Sequence, residues 1–285
     1  SLSALDIRSR NKDGCTPFYQ AVQSGDLKKV HYMATELDVD YEESDNTAVT
    51  PLHVAVKRGD IRMVEYLHAL GCTIHSVTSS GATPIFSAIS HKMYTKGITK
   101  QNNLALTKLL LSYGASSNVR TSRGWTLLSG AVEREDIPLV EFLLTLPDCG
   151  LNEAADGKTP LFRAVEKGNL PLVQLLVRHG ADADLQNTIQ HISPLLKACD
   201  KVDTKMAQYL VHVGAEMPQL ARIRNAALRA RLQPLAENRK YFPIQTFLRR
   251  NDGQHERLVD TIRTFRGDIC RIDGNCQTPF MVAAE

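Results

Sequence analysis

The apolar residues of the chain are grouped in short segments that recur about every 33 residues. Each recurrence has one apolar segment, then a polar break, then a second segment whose apolar residues are spaced by three and four. Leu170, Val173, Leu176 and Val177 show this second spacing, which places side chains on one face of a helix. The pattern therefore predicts pairs of short helices joined in series.

Each pair of segments opens with a hydroxyl residue that is followed, in most cases, by proline. The opening residues are Thr16, Thr50, Thr83, Thr126, Thr159, Ser193 and Thr278, and Thr126 is followed by leucine. A hydroxyl before a helix can accept hydrogen bonds from the unpaired N–H groups of the first turn, and proline suits the first helical position because it has no N–H. These residues therefore predict where each first helix starts.

Small residues mark the other boundaries. Alanine stands five residues after every opening residue, so that neighbouring helices can approach closely. Gly25, Gly59 and Gly168 are predicted to end a first helix in the left-handed conformation. Further glycines suit tight β-turns before the opening residues. They are Gly14, Gly81, Gly124, Gly157 and Gly274.

The third recurrence is longer than the others. The second segment closes at a glycine 21 residues after the opening residue in three recurrences, but 31 residues after it in the third. We therefore predict an insertion near 91–102, whose polar residues and central Gly97 indicate an exposed loop. It is either functional or a tolerated insertion. The acidic stretch 38–45 is predicted to be a solvated loop.

The motif Thr50-Pro51-Leu52-His53, with Ala55 after it, resembles the ankyrin repeat. The resemblance extends over almost the whole chain and implies an all-α solenoid of helix-turn-helix units with short β-turn fingers. One unit cannot bury its own apolar face, so that neighbours must stack. In this family the histidine braces the start of the helix, which gives His53 a structural role.

The resemblance also predicts the organisation of the chain. Residues 1–216 are predicted to form six repeats, and residues 217–241 an irregular Arg-rich helical insertion. Residues 242–285 are predicted to form a divergent seventh repeat and a truncated eighth. Because the chain begins at Ser1 and stops at Glu285 inside a repeat, we expect it to be part of a larger multidomain protein.

The composition excludes several classes of protein. Hydrophobic residues make up 43% and charged residues 23% of the 285 residues, as in folded domains, and no stretch approaches the roughly 20 apolar residues of a membrane span. The six cysteines form no C-x-x-C pair, which favours free thiols over a zinc site. No catalytic motif is present, so we predict no enzyme activity in this chain, no cofactor and no metal.

The net charge of +3 is unevenly distributed. Residues 217–285 hold 12 basic and 7 acidic residues, a charge of +5, which leaves −2 for residues 1–216. The excess is interpreted as a solvated helix face, with an acidic protein partner as the first alternative. Anionic lipid or nucleic acid is the second, and nucleic acid is disfavoured because interleaved aromatic residues are absent.

The resemblance implies where a partner binds. In ankyrin proteins the partner usually lies along the concave face, made of the fingers and the exposed side of each first helix. Side chains there are expected to be unnecessary for stacking. Trp125 is the strongest candidate because tryptophan and arginine are frequent hot spots, unless it packs on the adjacent finger. The other candidates are Lys57, Arg58, His91, Arg123, Glu133, Arg134, Lys158, Glu166, Lys167 and Lys201.

The sequence therefore predicts a protein–protein interaction scaffold that binds a partner protein or peptide on its concave surface. We expect a monomer in the cytoplasm, with the nucleus as the alternative, acting in signalling. Two other functions stay open. The chain could recruit substrates for an enzyme such as a ubiquitin ligase or kinase, or bind phosphoinositide or nucleic acid through its Arg-rich C-terminal part.

Overall fold

The computed structural model describes residues 7–89 and 100–215, together with residue 230. Helices come in pairs, a first helix and a second helix, and the described residues contain no strand beyond one isolated bridge between Ala155 and Lys158. This confirms the predicted all-α class. The chain divides into two compact units, a first unit of Ser1–Gly150 and a second unit of Leu151–Glu285.

The described residues delimit twelve helices. In the first unit these are α1 (Pro17–Ser24), α2 (Leu27–Glu36), α3 (Pro51–Arg58), α4 (Ile61–Ala69), α5 (Pro84–Ile89), α6 (Lys100–Ser112), α7 (Leu127–Glu133) and α8 (Ile137–Leu144). In the second unit they are α9 (Pro160–Lys167), α10 (Leu170–Arg178), α11 (Pro194–Asp200) and α12 (Thr204–His212). Odd-numbered helices are the first helices, and each packs on the second helix that follows it and on the next first helix of its unit.

Within the described residues the first helices start and end where predicted, although the buried hydroxyl of Thr83 makes no hydrogen bond. The side chains of Thr16, Thr126 and Thr159 each accept a hydrogen bond from the N–H three residues later, at 3.1–3.2 Å. Gly25 and Gly168 follow their helices in the left-handed conformation, with φ of 77° and 76°. These caps satisfy backbone groups that would otherwise lack partners at both ends of a two-turn helix.

Small and aliphatic residues fill the interior. The alanines five residues after the opening hydroxyls, from Ala21 to Ala198, are all buried, which lets adjacent first helices approach. Gly130 leaves room for Ile89, since a Cβ there would lie 2.8 Å from Cγ2 of Ile89. Each second helix contributes an apolar stripe, such as Leu172, Val173 and Leu176, that is fully buried.

The fingers, which are the turns that precede the first helices, connect neighbouring repeats through their backbones. In the first unit the N–H of Asn46 donates to the carbonyl of Asp13 at 3.0 Å, and the N–H of Ser122 donates to that of Ser80 at 3.1 Å. In the second unit the N–H of Thr188 donates to the carbonyl of Gly157 at 2.9 Å. The predicted turn glycines that lie within the described residues adopt the left-handed conformation, with φ of 74–81°; they are Gly14, Gly81, Gly124 and Gly157.

The end of the predicted insertion differs from expectation. A loop was expected up to residue 102, but α6 begins at Lys100. The buried residues Asn103, Leu106, Thr107 and Leu110 follow helical spacing. The buried face of α6 therefore includes the polar Asn103, which lies before the first buried leucine. Residues 90–99 lie outside the described part of the chain.

Other predictions also lie outside it. The Arg-rich insertion at 217–241, apart from residue 230, and the repeats expected in 242–285 are not described, so the predicted boundaries stay predictions. Cys270 and Cys276 fall there too. In the described ranges Cys15, Cys72, Cys149 and Cys199 form no disulfide, and burial raises the pKa of Cys72 to about 12 and that of Cys199 to about 11. Both thiols are therefore protonated and poorly nucleophilic near neutral pH.

No described helix combines the length and hydrophobicity that a membrane crossing requires. Within residues 7–89 and 100–215, no cluster of three or more histidine, cysteine or acidic side chains is arranged to hold a metal ion.

Candidate partner-binding surface

The candidate surface consists, in each unit, of the fingers and the exposed side of the first helices. We call it the finger surface. Trp125 lies in a finger of the first unit and is half-buried, Arg123 beside it is exposed, and Lys57 is exposed at the end of α3. Glu133 and Lys167 end first helices in the two units. His91 lies outside the described residues.

Three predicted residues contact the preceding repeat. Nη1 of Arg58 donates to the carbonyl of Gln23 at 2.6 Å, and Nη1 of Arg134 donates to the carbonyl of Ile89 at 2.9 Å. Nζ of Lys201 donates to the carbonyl of Glu166. Each acceptor lies in the last turn of the preceding first helix, where the aligned peptide dipoles favour a cation.

These contacts correct one expectation. Arg58, Arg134 and Lys201 were expected to be unnecessary for stacking, yet each links two repeats. The signal in the sequence is a basic residue eight positions after the opening hydroxyl. Their role in partner binding stays a prediction.

Glu166 is the centre of a charged cluster in the second unit. One carboxylate oxygen lies 2.6 Å from Nζ of Lys158, and the other lies 3.6 Å from Nζ of Lys197. Burial acts to raise the pKa of Glu166, but the hydrogen bond and charge of Lys158, followed by the charge of Lys197, outweigh it and hold this pKa below its ordinary value. The structure thus brings Lys158, Glu166 and Lys201 together, as three of the predicted residues, and adds Lys197.

Two buried side chains support the fingers of the first unit. Nε2 of His53 donates to the carbonyl of Ala82 at 3.2 Å, and Nδ1 of the same ring accepts from the N–H of Thr50 at 3.3 Å and its hydroxyl at 2.8 Å. His53 is only 1% exposed, and burial lowers its pKa. The neutral ring therefore joins a helix start to the next finger, as its structural role implied.

Tyr19 stands at the position equivalent to His53, three residues after the opening hydroxyl, and supports its finger differently. Its hydroxyl donates to Oδ2 of Asp45 at 3.0 Å, while Oδ1 accepts from the N–H and hydroxyl of Thr47 and the N–H of Val49 at 2.7–3.0 Å. Burial acts to raise the pKa of Asp45, but the hydrogen bonds of Thr47, Val49 and Tyr19 outweigh it and lower this pKa. Asp45 was expected to lie in a solvated loop and instead organises a finger.

Two non-glycine residues adopt the left-handed conformation at the position where glycine ends α1, α3 and α9. Glu135 has φ of 55° and Val202 has φ of 59°, each nine residues after its opening hydroxyl. Val202 is also 52% exposed. A β-branched residue in this conformation is strained because Cβ crowds the backbone, and an exposed valine recovers little of that cost by burial.

Replacing Val202 with glycine is expected to raise the free energy of unfolding of the second unit by about 1 kcal/mol. The relief of backbone strain exceeds the added flexibility of the unfolded chain. Urea unfolding, together with hydrogen exchange of the amides of α11 and α12, measures the effect. Val202→Ala is the matched control and should gain less, because it keeps Cβ; equal stability of the two variants would contradict the strain.

Comparison with family models places this architecture among known repeats. The model described as ankyrin repeats (3 copies) matches residues 2–78, 97–187 and 128–221, which together exceed half of the chain. No curated protein matched.

Several solved structures share the fold. The ankyrin repeat domain of Bcl-3, described as a unique member of the IkappaB protein family, is 26% identical; the match covers 78% of this chain and 100% of that one, with a TM-score of 0.62. The ankyrin repeat protein EF0377 is 24% identical, with coverage of 70% and 97% and a TM-score of 0.57. A chain from the complex of the Bdellovibrio bacteriovorus predatory endopeptidase Bd0816 with the immunity protein Bd3460 is 21% identical, with coverage of 72% and 99% and a TM-score of 0.54.

Proposed function

Because the chain belongs to the ankyrin-repeat family, we propose that it binds a partner protein or peptide on its finger surface. It does so as a monomer in the cytoplasm and as the recognition part of a longer protein. Ankyrin repeats generally mediate protein–protein interaction. Within each unit the fingers are fixed by backbone hydrogen bonds to their neighbours, so a partner meets a preformed surface and little ordering entropy is lost on binding.

The observation that carries the proposal is the environment of Trp125. The N–H of Trp125 donates to the hydroxyl of Thr121, and the N–H of Thr121 donates to the carbonyl of Trp125, both at 3.1 Å. These bonds close the finger, while the side chain of Trp125 is half-exposed and Arg123, two residues earlier, is exposed. Tryptophan and arginine are among the residue types most enriched in interface hot spots, and the finger that carries both is fixed by these backbone contacts.

The test is capture of partners from a cell extract, followed by measurement of the affinity of the captured protein for defined variants. Trp125→Ala is expected to weaken this affinity by about tenfold or more. Tyr32→Ala is the matched control, because Tyr32 is a 56% exposed aromatic residue on the second helix α2 and should leave the affinity unchanged. Circular dichroism confirms that both variants fold.

Two outcomes contradict the proposal. One is an unchanged affinity after Trp125→Ala combined with substitutions of Arg123 and Lys57. The other is a loss of affinity that follows Tyr32→Ala instead. A steep decrease of affinity with salt would favour the anionic ligands predicted for the Arg-rich C-terminal part.

A further inference from the structure

A row of lysines with an exposed apolar residue at each end crosses the finger surface of the second unit. Lys158 lies at the finger end of the row, Lys197 on α11 and Lys201 just beyond α11. We call these three residues the lysine row. Glu166 connects them, because its carboxylate pairs with the first two and its carbonyl accepts from the third.

The apolar ends are placed by specific contacts. A Cβ built on Gly157 would lie 2.7 Å from Cγ1 of Ile189, so the Ile189 side chain covers the residue next to Lys158. Ile189 is 68% exposed. At the other end, the strained and exposed Val202 directly follows Lys201.

Packing does not account for the two apolar ends of the row. Ile189 and Val202 remain mostly in solvent, and Val202 also costs conformational energy.

The cluster that Glu166 connects is positive even after its internal pairing. The three lysines of the row share one carboxylate, so these four residues carry a charge of +2. Glu166 neutralises Lys158 and Lys197 only in part, because one carboxylate is shared between two ammonium groups.

We propose that the lysine row binds an acidic peptide segment of a partner protein, whose carboxylates pair with Lys158, Lys197 and Lys201 and whose apolar side chains contact Ile189 and Val202. The inference rests on the proposed function and specifies the chemistry of the ligand. Glu166 acts as an internal competitor, since it occupies in the free protein the ammonium groups that a ligand carboxylate needs.

The surroundings favour an acidic peptide over nucleic acid or phosphate. Base stacking needs exposed aromatic side chains, whereas the described aromatic residues of the second unit are the buried Phe162 and Tyr209 on the second helix α12. Phosphate is best matched by the planar fork of arginine, but the row is built from lysines. Exposed aliphatic side chains at both ends suit the leucine or valine of a peptide.

The experiment uses the full chain and a fluorescent dodecapeptide of four Glu-Asp-Leu repeats, with binding followed by anisotropy. A peptide of four Gln-Asn-Leu repeats, a single-stranded oligonucleotide and phosphoinositide vesicles are the comparison ligands. The acidic peptide should bind most tightly. Lys158→Gln and Lys197→Gln should each weaken it about fivefold, while Lys205→Gln, an exposed lysine on α12, should change nothing.

Glu166→Gln separates binding from a structural role. Removal of the internal competitor should tighten the acidic peptide about two- to fivefold. If the cluster only stabilised the fold, the variant would lower the unfolding midpoint and leave affinity unchanged or weaker. Such a result overturns the proposal, as does equal binding of the neutral peptide or preferential binding of the oligonucleotide or vesicles.

Failure of this inference is distinguishable from failure of the proposed function. If the acidic peptide does not bind while the natural partner still depends on Trp125, only the lysine row is wrong. If partner binding is insensitive to Trp125, Arg123 and Lys57, the proposed function fails first.

Discussion

His53→Ala is expected to lower the free energy of unfolding of the first unit by about 3 kcal/mol. The substitution removes a fully buried ring and leaves a cavity, and it also deprives the Ala82 carbonyl and the Thr50 N–H and hydroxyl of their partner. Because the ring joins two repeats, both the start of α3 and the following finger lose support. Urea unfolding, with hydrogen exchange to locate the loss, measures the effect.

The chain supplies its own control for this substitution. Phe86 and Phe162 occupy the equivalent position of other repeats and are buried, so His53→Phe restores the volume without the hydrogen bonds. It should cost about half as much as alanine. A phenylalanine variant as unstable as the alanine variant would show that volume does not matter here.

The same residue makes stability depend on pH. Burial lowers the pKa of His53 below its ordinary value of about 6.5, so the unfolded chain binds the proton more readily. The contribution of the neutral His53 ring to the free energy of unfolding is complete above pH ~6.5, and it is lost as the pH falls through the lower pKa that His53 has in the folded state. The difference in unfolding free energy between wild type and His53→Phe should therefore shrink with acid, and a difference constant from pH ~7.5 to 5 would contradict the neutral buried ring.

Asp45→Ala is expected to lower the free energy of unfolding of the first unit by about 2 kcal/mol. The carboxylate accepts four hydrogen bonds, from Tyr19, Thr47 and Val49, and its half-exposed position lets water replace part of them. Loss of the Tyr19 contact also separates α1 from the finger that follows it.

Asp45→Asn tests whether charge or hydrogen bonding dominates. The amide keeps one acceptor oxygen but no charge, so it should cost about 1 kcal/mol. Because the pKa of Asp45 is lowered, the wild-type contribution is present above the unfolded-state pKa and disappears as the pH falls through the folded-state value. Equal stability of wild type and the alanine variant at neutral pH would contradict the role of Asp45.

Local chemistry made much of the fold predictable from the sequence. The hydroxyl caps and the glycines after the first helices each act within a few residues of the chain, and the buried alanines recur at a fixed position in every repeat, so their spacing was sufficient. The structure adds what depends on stacking. Lys197 was missed because it meets Glu166 only across two neighbouring first helices, 31 positions away in sequence.

Other features were missed because the usual residue is absent. Glu135 and Val202 turn left-handed where the sequence offers no glycine, and only the rest of the repeat enforces that conformation. Asp45 lies in a stretch whose acidic character suggested solvent, yet a tyrosine from the preceding repeat gives it a fixed place. On the candidate surface, the sequence identified Lys158, Glu166 and Lys201 as candidate binding residues. It did not predict that Glu166 contacts both lysines.

The basic residues that link neighbouring first helices have a consequence for how such a chain can change by duplication. Arg58, Arg134 and Lys201 all bind main-chain oxygens, and the residues that provide them are glutamine, isoleucine and glutamate. A main-chain acceptor exists whatever side chain stands there. A repeat that carries its own basic residue can therefore be moved behind a different neighbour and keep this link.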